Sequence, residues 1–380
     1  MSSFVYGLLD KGIIPDFIVR QAIRSLSRTR LREIDHGSLE KNHAAKLKWI
    51  DGVKARATIA DVPEKANEQH YEVPTSFILS TLGPRAKYSS CLYPTGTETL
   101  AEAEVLMLES YCEKAQIKDG LEILDLGCGW GSLSLFLAEK YPNARITGLS
   151  NSTTQKAFID SVATEKGFNN LTIITADVNI FEFPDSTRRV SNPNRRFDRI
   201  LSIEMFEHMK NYEALFKKVS SWLRPSTPSS PNKEGSASAS SLAPPNESLL
   251  FLQVFCHRTT PYHSEEDDGW MSQNFFSGGT MPSFDLFLYF QSHITLLKSW
   301  YLPGTHYSRT AEHWLQLQDA NAKEGLNVLR EDAVKHGKPA NDGDIQFNRF
   351  RVFYLAVAEF FNLDKGEQWG VGHYLFRRAD

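Results

Sequence analysis

The stretch Leu121–Gly131, LEILDLGCGWG, decides the fold. LEILDL is an apolar run with one acid near its end, which reads as a buried strand. Gly127, Gly129 and Gly131 follow as G-x-G-x-G, and Ser132–Tyr141 continues with helical periodicity. A strand, a glycine turn and a helix make the first half of a doubly wound nucleotide-binding unit. Glycine suits the turn because a side chain there would hold a ligand off the backbone and block the tight bend.

The spacing points to one kind of nucleotide. A dinucleotide fold wants G-x-G-x-x-G/A, with an acid about 20 residues on for the ribose. Here the next expected strand, Arg145–Leu149, ends in Ser150-Asn151 and carries no carboxylate. The run Asp125-Leu126-Gly127-Cys128-Gly129-Trp130-Gly131 matches the D-x-G-x-G-x-G form of S-adenosylmethionine (SAM) methyltransferases. SAM has no pyrophosphate, so an anion cradle is not required.

Composition sets the outer bounds. At 380 residues the chain suits one large domain with elaborations or two smaller ones. A net charge of -4 gives no reason to expect nucleic acid as a partner. Cys91, Cys112, Cys128 and Cys256 are scattered, without a C-x-x-C or Cys/His cluster, so no metal is expected and reduced thiols in a cytoplasmic protein are the simpler reading. No secretory signal or membrane-spanning run is evident.

Along the chain, residues 4–60 read as helices, one starting after Pro15-Asp16 and carrying Arg20, Arg24, Arg28, Arg30 and Arg32. Such a basic amphipathic helix suits either anionic lipid or a solvated face packed on the main domain. Glu68–Pro94 is irregular and aromatic, and Thr97–Lys114 reads as a helix with its acids outward. Strands are expected at Leu171–Ala176, Phe197–Ile203 and Leu249–Cys256, with a helix at Tyr212–Leu223. Pro225–Ser248 is mostly Pro, Ser, Ala, Asn and Gly and reads as a disordered insertion. His257–Pro282 and Phe284–Gly304 read as a second irregular block, Thr310–Lys335 and Asn341–Asn362 as helices, and Gln368–Phe376 as a closing edge strand.

The chemistry is expected after the fourth strand, at Ser202-Ile203-Glu204-Met205-Phe206-Glu207-His208. In an open α/β sheet, ligands sit beyond the carboxyl ends of the strands. If the segment turns helical, Glu204, Glu207 and His208 share one face. Two carboxylates and an imidazole can hold an ammonium group, take its proton and leave a neutral nitrogen for attack. A plain acidic helix start is the alternative.

The chain resembles the cyclopropane-fatty-acid-synthase-like methyltransferases over nearly its full length, and looks closest to the coclaurine-type N-methyltransferase branch. The resemblance is carried by GIIPDFIVRQAIRSLSRTRL, YCEKAQIKDG, LDLGCGWG, TGLSNSTTQKAFI, FDRILSIEMFEHMKNYE, FFSGGTMPS with LYFQ, and GTHYSRTAEHWL. It implies a Rossmann-like α/β class I SAM-dependent methyltransferase with a helical N-terminal extension (1–85), a catalytic domain (86–380) and a substrate cap (257–365). It implies SAM contacts from Ser89, Ser90, Asp125, Gly127, Gly129, Asn151, Gln155, Asp177 and Val178. Asn151 and Gln155, one helical turn apart, would both face the ribose, and Asp177 would accept from the adenine amino group. Glu204, Glu207 and His208 match the acid-base cluster of the N-methylating branch, and Tyr307 an active-site tyrosine of the wider family.

Departures separate the branches. The lipid-cyclopropanating members hold bicarbonate partly with a His on strand five, and in LLFLQVF Val254 stands where that His is expected. They also tend to carry Gly in place of Glu204, and a cysteine of relatives' C-terminal helix is Tyr354 here. The expected activity is methyl transfer to a small aromatic or lipophilic amine, with Tyr88, Phe206, Phe276, Phe287 and Tyr307 available to enclose a cation. Two alternatives are a lipid methyltransferase or cyclopropane synthase at a membrane surface, and a SAM-binding protein without catalysis. A homodimer is compatible with either enzyme reading.

Overall fold

The computed structural model describes residues 3–59, 73–183, 196–225, 247–264, 270, 274–275 and 278–379. The chain opens with helices α1 (Ser3–Asp10), α2 (Asp16–Glu33), α3 (Leu39–Lys54), α4 (Thr75–Thr81) and α5 (Leu100–Lys114). Alternation then begins: β1 (Glu122–Leu126), α6 (Ser132–Lys140), β2 (Arg145–Ser150), α7 (Thr153–Glu165), β3 (Leu171–Thr175) and β4 (Arg199–Ile203). A single 3-10 turn, Phe206–His208, leads to α8 (Tyr212–Trp222) and β5 (Leu249–His257). The short strands β6 (Tyr262–His263) and β7 (Thr280–Met281) precede β8 (Ile294–Pro303). Helices α9 (Thr305–Ala320), α10 (Ala322–Lys335) and α11 (Asn341–Asn362) lead to β9 (Trp369–Arg378).

Seven strands form one sheet in the order β3-β2-β1-β4-β5-β9-β8. The first five are mutually parallel, and β9 runs antiparallel to both of its neighbours. All five residues of β1 are buried, as a strand covered on both faces requires. Alternate residues feed two cores: Ile123, Leu201, Phe251 and Leu375 on one face, Leu124, Ile200, Leu252 and Phe376 on the other. Tyr307, Trp314 and Tyr354 of α9 and α11 join the first core, so the cap helices share a hydrophobic interior with the sheet.

Several expectations are corrected here. The closing strand is not at the edge: β9 is second from it, and the outermost strand is β8, from the block read as irregular. Most of β8 is only partly buried, so ITLLKSWYLP shows no clean alternation. β8 also belongs to the main sheet, so 257–365 is not cap throughout. The expected single helix Thr310–Lys335 is two helices meeting at Asn321, whose amide donates to the Ser80 carbonyl at 2.9 Å. The acids of α5 do not all face out: Glu104 is fully buried and accepts from the backbone N–H of Arg85 at 2.9 Å. Thr99 and Glu102 form a reciprocal capping box that starts this helix at Leu100.

The arginines of α2 turn toward the main body. Arg20 bonds Glu359 at 2.8 Å and also pairs with Glu312, and Arg24 pairs with Glu359 as well. The basic face is therefore partly consumed in ion pairs with α9 and α11. Most of the insertion read at 225–248 lies outside the described residues. At its ends the Ser248 hydroxyl donates to the Arg224 carbonyl at 2.6 Å. Phe276 also lies outside them. Among the described residues, no helix is long and apolar enough to cross a membrane, and no group of three or more His, Cys, Asp or Glu is placed to hold a metal.

Candidate active site

The glycine turn stands at the carboxyl end of β1, and its three glycines do different work. All have positive φ, at 82° for Gly127, 51° for Gly129 and 80° for Gly131. A Cβ on Gly127 would lie 2.7 Å from Met205, and one on Gly131 would lie 2.6 Å from Ile159, so both are needed for packing. A Cβ on Gly129 would meet nothing within 4 Å. Gly129 is thus the glycine that leaves open space above the turn. Asp125 is buried and accepts from the Ser134 hydroxyl at 2.7 Å, tying β1 to the first turn of α6. Burial pushes its pKa up to about 6.

The remaining expected cofactor residues line neighbouring strand ends. Gln155 is buried; its Oε1 accepts from Ser150 Oγ at 2.7 Å, and its Nε2 has no partner among the described residues. Asn151 precedes the N-cap Ser152 and is exposed, so the pair is not one helical turn apart on a shared face. The Asp177 carboxylate accepts from the Asn179 N–H at 2.8 Å, a local turn cap, and the Val178 carbonyl accepts from Lys218 Nζ at 2.9 Å. Open space over Gly129 and a buried amide with an unspent donor fit a nucleoside ligand such as SAM.

Beyond β4 the chain does not turn helical at once. Glu204 has φ 50°, a left-handed conformation that costs a side-chain-bearing residue about 1 kcal/mol or more. The expected helical face is therefore replaced by a kink followed by a 3-10 turn. The kink turns the Glu204 carboxylate into a nest of donors. Oε1 accepts from Ser90 N–H at 3.0 Å and Gln253 Nε2 at 2.7 Å, and Oε2 accepts from the Tyr307 hydroxyl at 2.7 Å. Glu207 is fully buried; its Oε1 accepts from Phe255 N–H at 2.7 Å, and Oε2 has no partner among the described residues.

Electrostatics separate the two acids. Burial raises the Glu204 pKa, against the opposing effects of Lys87 and of the Tyr307, Ser90 and Gln253 donors. Burial and the adjacent Glu204 charge hold Glu207 well above the ordinary carboxylate range, with only backbone N–H groups in opposition. Glu204 is accordingly the more readily ionised of the two, and Glu207 the stronger base. Burial and nearby Lys210 bring His208 down to about 4, so its imidazole is neutral at neutral pH.

The expected aromatic enclosure divides. Tyr307 stacks on Phe361 with centroids 4.5 Å apart, and Tyr88 lies 5.4 Å from Trp314. Phe206 and Phe287 instead pack with Phe216 and Tyr212 in the opposite core. Tyr354, where the resemblance implies a cysteine, shares a 2.7 Å hydrogen bond with the Thr81 hydroxyl.

Sequence reasoning missed three participants. Lys87 is almost fully buried and donates to Ser89 Oγ at 2.6 Å and the Ser90 carbonyl at 2.7 Å. It thereby fixes both serines and adds positive charge near Glu204; burial lowers its pKa. Gln253, not Val254, is the strand-five residue that faces Glu204, with Tyr111 donating to its Oε1 at 2.7 Å. Val254 is fully buried in the opposite core, so it does not shape this site. Strand alternation puts the two positions on opposite faces of the sheet. No local signal marks Lys87 or Tyr111.

Comparison with known proteins shows the family. The family profile described as mycolic acid cyclopropane synthetase matches residues 60–336. (S)-coclaurine N-methyltransferase of Thalictrum flavum subsp. glaucum is 36% identical over 375 residues, covering 97% of this chain and 94% of the relative. The Papaver somniferum enzyme of that name is 33% identical, covering 97% and 96%. A crystal structure of coclaurine N-methyltransferase bound to N-methylheliamine and SAH superposes with a TM-score of 0.85 at 34% identity, covering 98% of each chain. SAH is the demethylated product of SAM. The chain therefore belongs to the mycolic acid cyclopropane synthetase family and, within it, to the N-methyltransferases that use SAM.

Proposed function

We propose that the protein methylates the nitrogen of a small, aromatic or lipophilic amine, with Glu207 as general base beside an ionised Glu204. The observation that carries this is the buried, unpartnered Oε2 of Glu207. An unpartnered carboxyl oxygen in a dry site favours a cation, and an ammonium placed there would draw Glu207 into its ionised, proton-accepting form. The coclaurine N-methyltransferase relatives support an amine acceptor.

Gly127, Gly129 and the buried Gln155 amide would hold SAM, with Ser89, Ser90, Asn151, Asp177 and Val178 alongside and Asp125 bracing the turn. What SAM supplies when bound is an activated methyl group, so no covalent catalysis is asked of the protein. The chain's own tasks are alignment and proton removal. Glu204, held by its donors, fixes the cationic end of the acceptor electrostatically. Glu207, made more basic by burial, takes the ammonium proton and exposes the nitrogen lone pair. His208, the residue after Glu207, stands in the same turn as a neutral imidazole. Tyr307 and Tyr88, braced by Phe361 and Trp314, offer ring faces to a cationic product.

We also propose that 1–85 acts as a helical extension and that α9–α11 act as the substrate cap. Four buried free thiols support a reducing, cytoplasmic setting. The test is methyl transfer from labelled SAM to a panel of amines, set against phospholipid vesicles with unsaturated chains. Label on an amine, at a rate rising with pH, is the expected result. Label confined to lipid, or none on either, would refute the proposal.

A further inference from the structure

The Glu204 carboxylate is the inner end of a hydrogen-bond chain that crosses the sheet. Gln253 Nε2 donates to Glu204 Oε1 at 2.7 Å, which leaves Gln253 Oε1 facing away as an acceptor. That oxygen lies 2.7 Å from His373 Nε2, and His373 Nδ1 lies 2.7 Å from Lys114 Nζ. Gln253 and His373 are buried register partners on β5 and β9, and Lys114 is the half-buried last residue of α5. Only one arrangement of protons satisfies every link. An ammonium donates to Nδ1, a neutral imidazole donates from Nε2, and the amide donates to the carboxylate. Every donor therefore points toward Glu204, and such aligned bonds polarise one another.

We propose that Lys114 and His373 are positioning residues for methyl transfer, acting through Gln253 to keep Glu204 oriented and ionised. The inference rests on the reading of Glu204 as part of the acid-base site. His373 is faced by Lys114 and Tyr111 from α5, by Lys87 and by His306 of α9. Burial first, then the Lys114 and Lys87 charges, hold its imidazole neutral, as the chain requires. Lys114 has Glu113 beside it and lies 5.4 Å from the Trp300 ring centroid; burial brings its pKa to about 8, so it is charged at neutral pH.

The test compares His373→Leu, which cuts the chain, with His373→Gln, which offers a donor and an acceptor in its place, and with Lys114→Met. Losing aligned donors disfavours the ionised carboxylate, so the acidic limb of kcat should move up by about one pH unit in His373→Leu. Its kcat should fall about tenfold to thirtyfold, while amine KM and SAM Kd stay within about threefold. His373→Gln should recover kcat to within about threefold, and Lys114→Met should shift the limb in the same direction. If His373→Leu does not fold, Lys114→Met, at the half-exposed end, decides alone. An unmoved acidic limb in the folded variants, or equal losses in His373→Leu and His373→Gln, overturns the proposal. Glu204→Gln is the control. If it is inactive while Lys114→Met and His373→Leu behave as wild type, only the chain is refuted; if it keeps full activity, the acid-base reading falls too.

Discussion

Glu207→Gln separates the roles assigned to the site. The side chain is fully buried, and its Oε1 receives the Phe255 N–H at 2.7 Å. A glutamine keeps that acceptor in the same place, so the junction with β5 is preserved. What disappears is a basic group with an unpartnered oxygen. Loss of a general base lowers turnover by about 10²–10⁴-fold. SAM affinity should change by less than about threefold, because the cofactor residues lie at the ends of β1, β2 and β3. Stability gives a second readout with a defined sign. Burial and the Glu204 charge hold the folded pKa of Glu207 well above the ordinary carboxylate value of 4.5. The folded protein therefore keeps a proton that the unfolded chain releases. The stabilisation this brings is full below pH 4.5 and is lost as pH rises through the folded value. Glu207→Gln has no such proton, so its melting temperature relative to wild type should climb from pH 4.5 toward pH 8. Rate assays, titration calorimetry and thermal melts across that range make the check. Unchanged turnover, or a parallel loss of SAM binding, would refute the reasoning.

Other substitutions probe neighbouring parts of the site. Tyr307→Phe removes the 2.7 Å donor to Glu204 Oε2, so the acidic limb of the rate profile should shift to higher pH and kcat should fall; the fall is expected at about tenfold, and an unmoved limb counts against the contact. Gly129→Ala meets no atom within 4 Å but must adopt φ 51°. It should fold at a cost of about 1–2 kcal/mol yet weaken SAM binding at least about tenfold by calorimetry, and unaltered affinity would show that Gly129 does not face the ligand. Val254→Ala should destabilise by about 1–2 kcal/mol in denaturant melts and leave kcat/KM within about threefold, whereas Gln253→Ala should lose turnover; the reverse pattern would return Val254 to the site.

The glycine turn, the five parallel strands and the carboxylate pair were all legible, because each is a local pattern. Apolar runs bounded by turn residues announced β1 to β5, and the position after β4 announced Glu204 and Glu207. Where burial and periodicity parted company, reading failed. β8 is mostly half-covered, so its residues do not alternate, and its partner, β9, lies beyond three helices. Glu104 resembles the other acids of α5 in sequence, and only the close approach of Arg85 and Lys87 turns it inward.

By itself the sequence determined a SAM-binding α/β fold, the glycines that permit the turn, and the segment that carries the acids. The tertiary structure decided how those acids behave. The backbone is left-handed at Glu204, and Ser90, Gln253 and Tyr307 converge on its carboxylate from segments 114, 49 and 103 residues away. Donor geometry and dielectric are properties of packing, set by groups with no sequence proximity, so the difference between a donor-held anchor and a more basic partner appears only once the chain has closed around them.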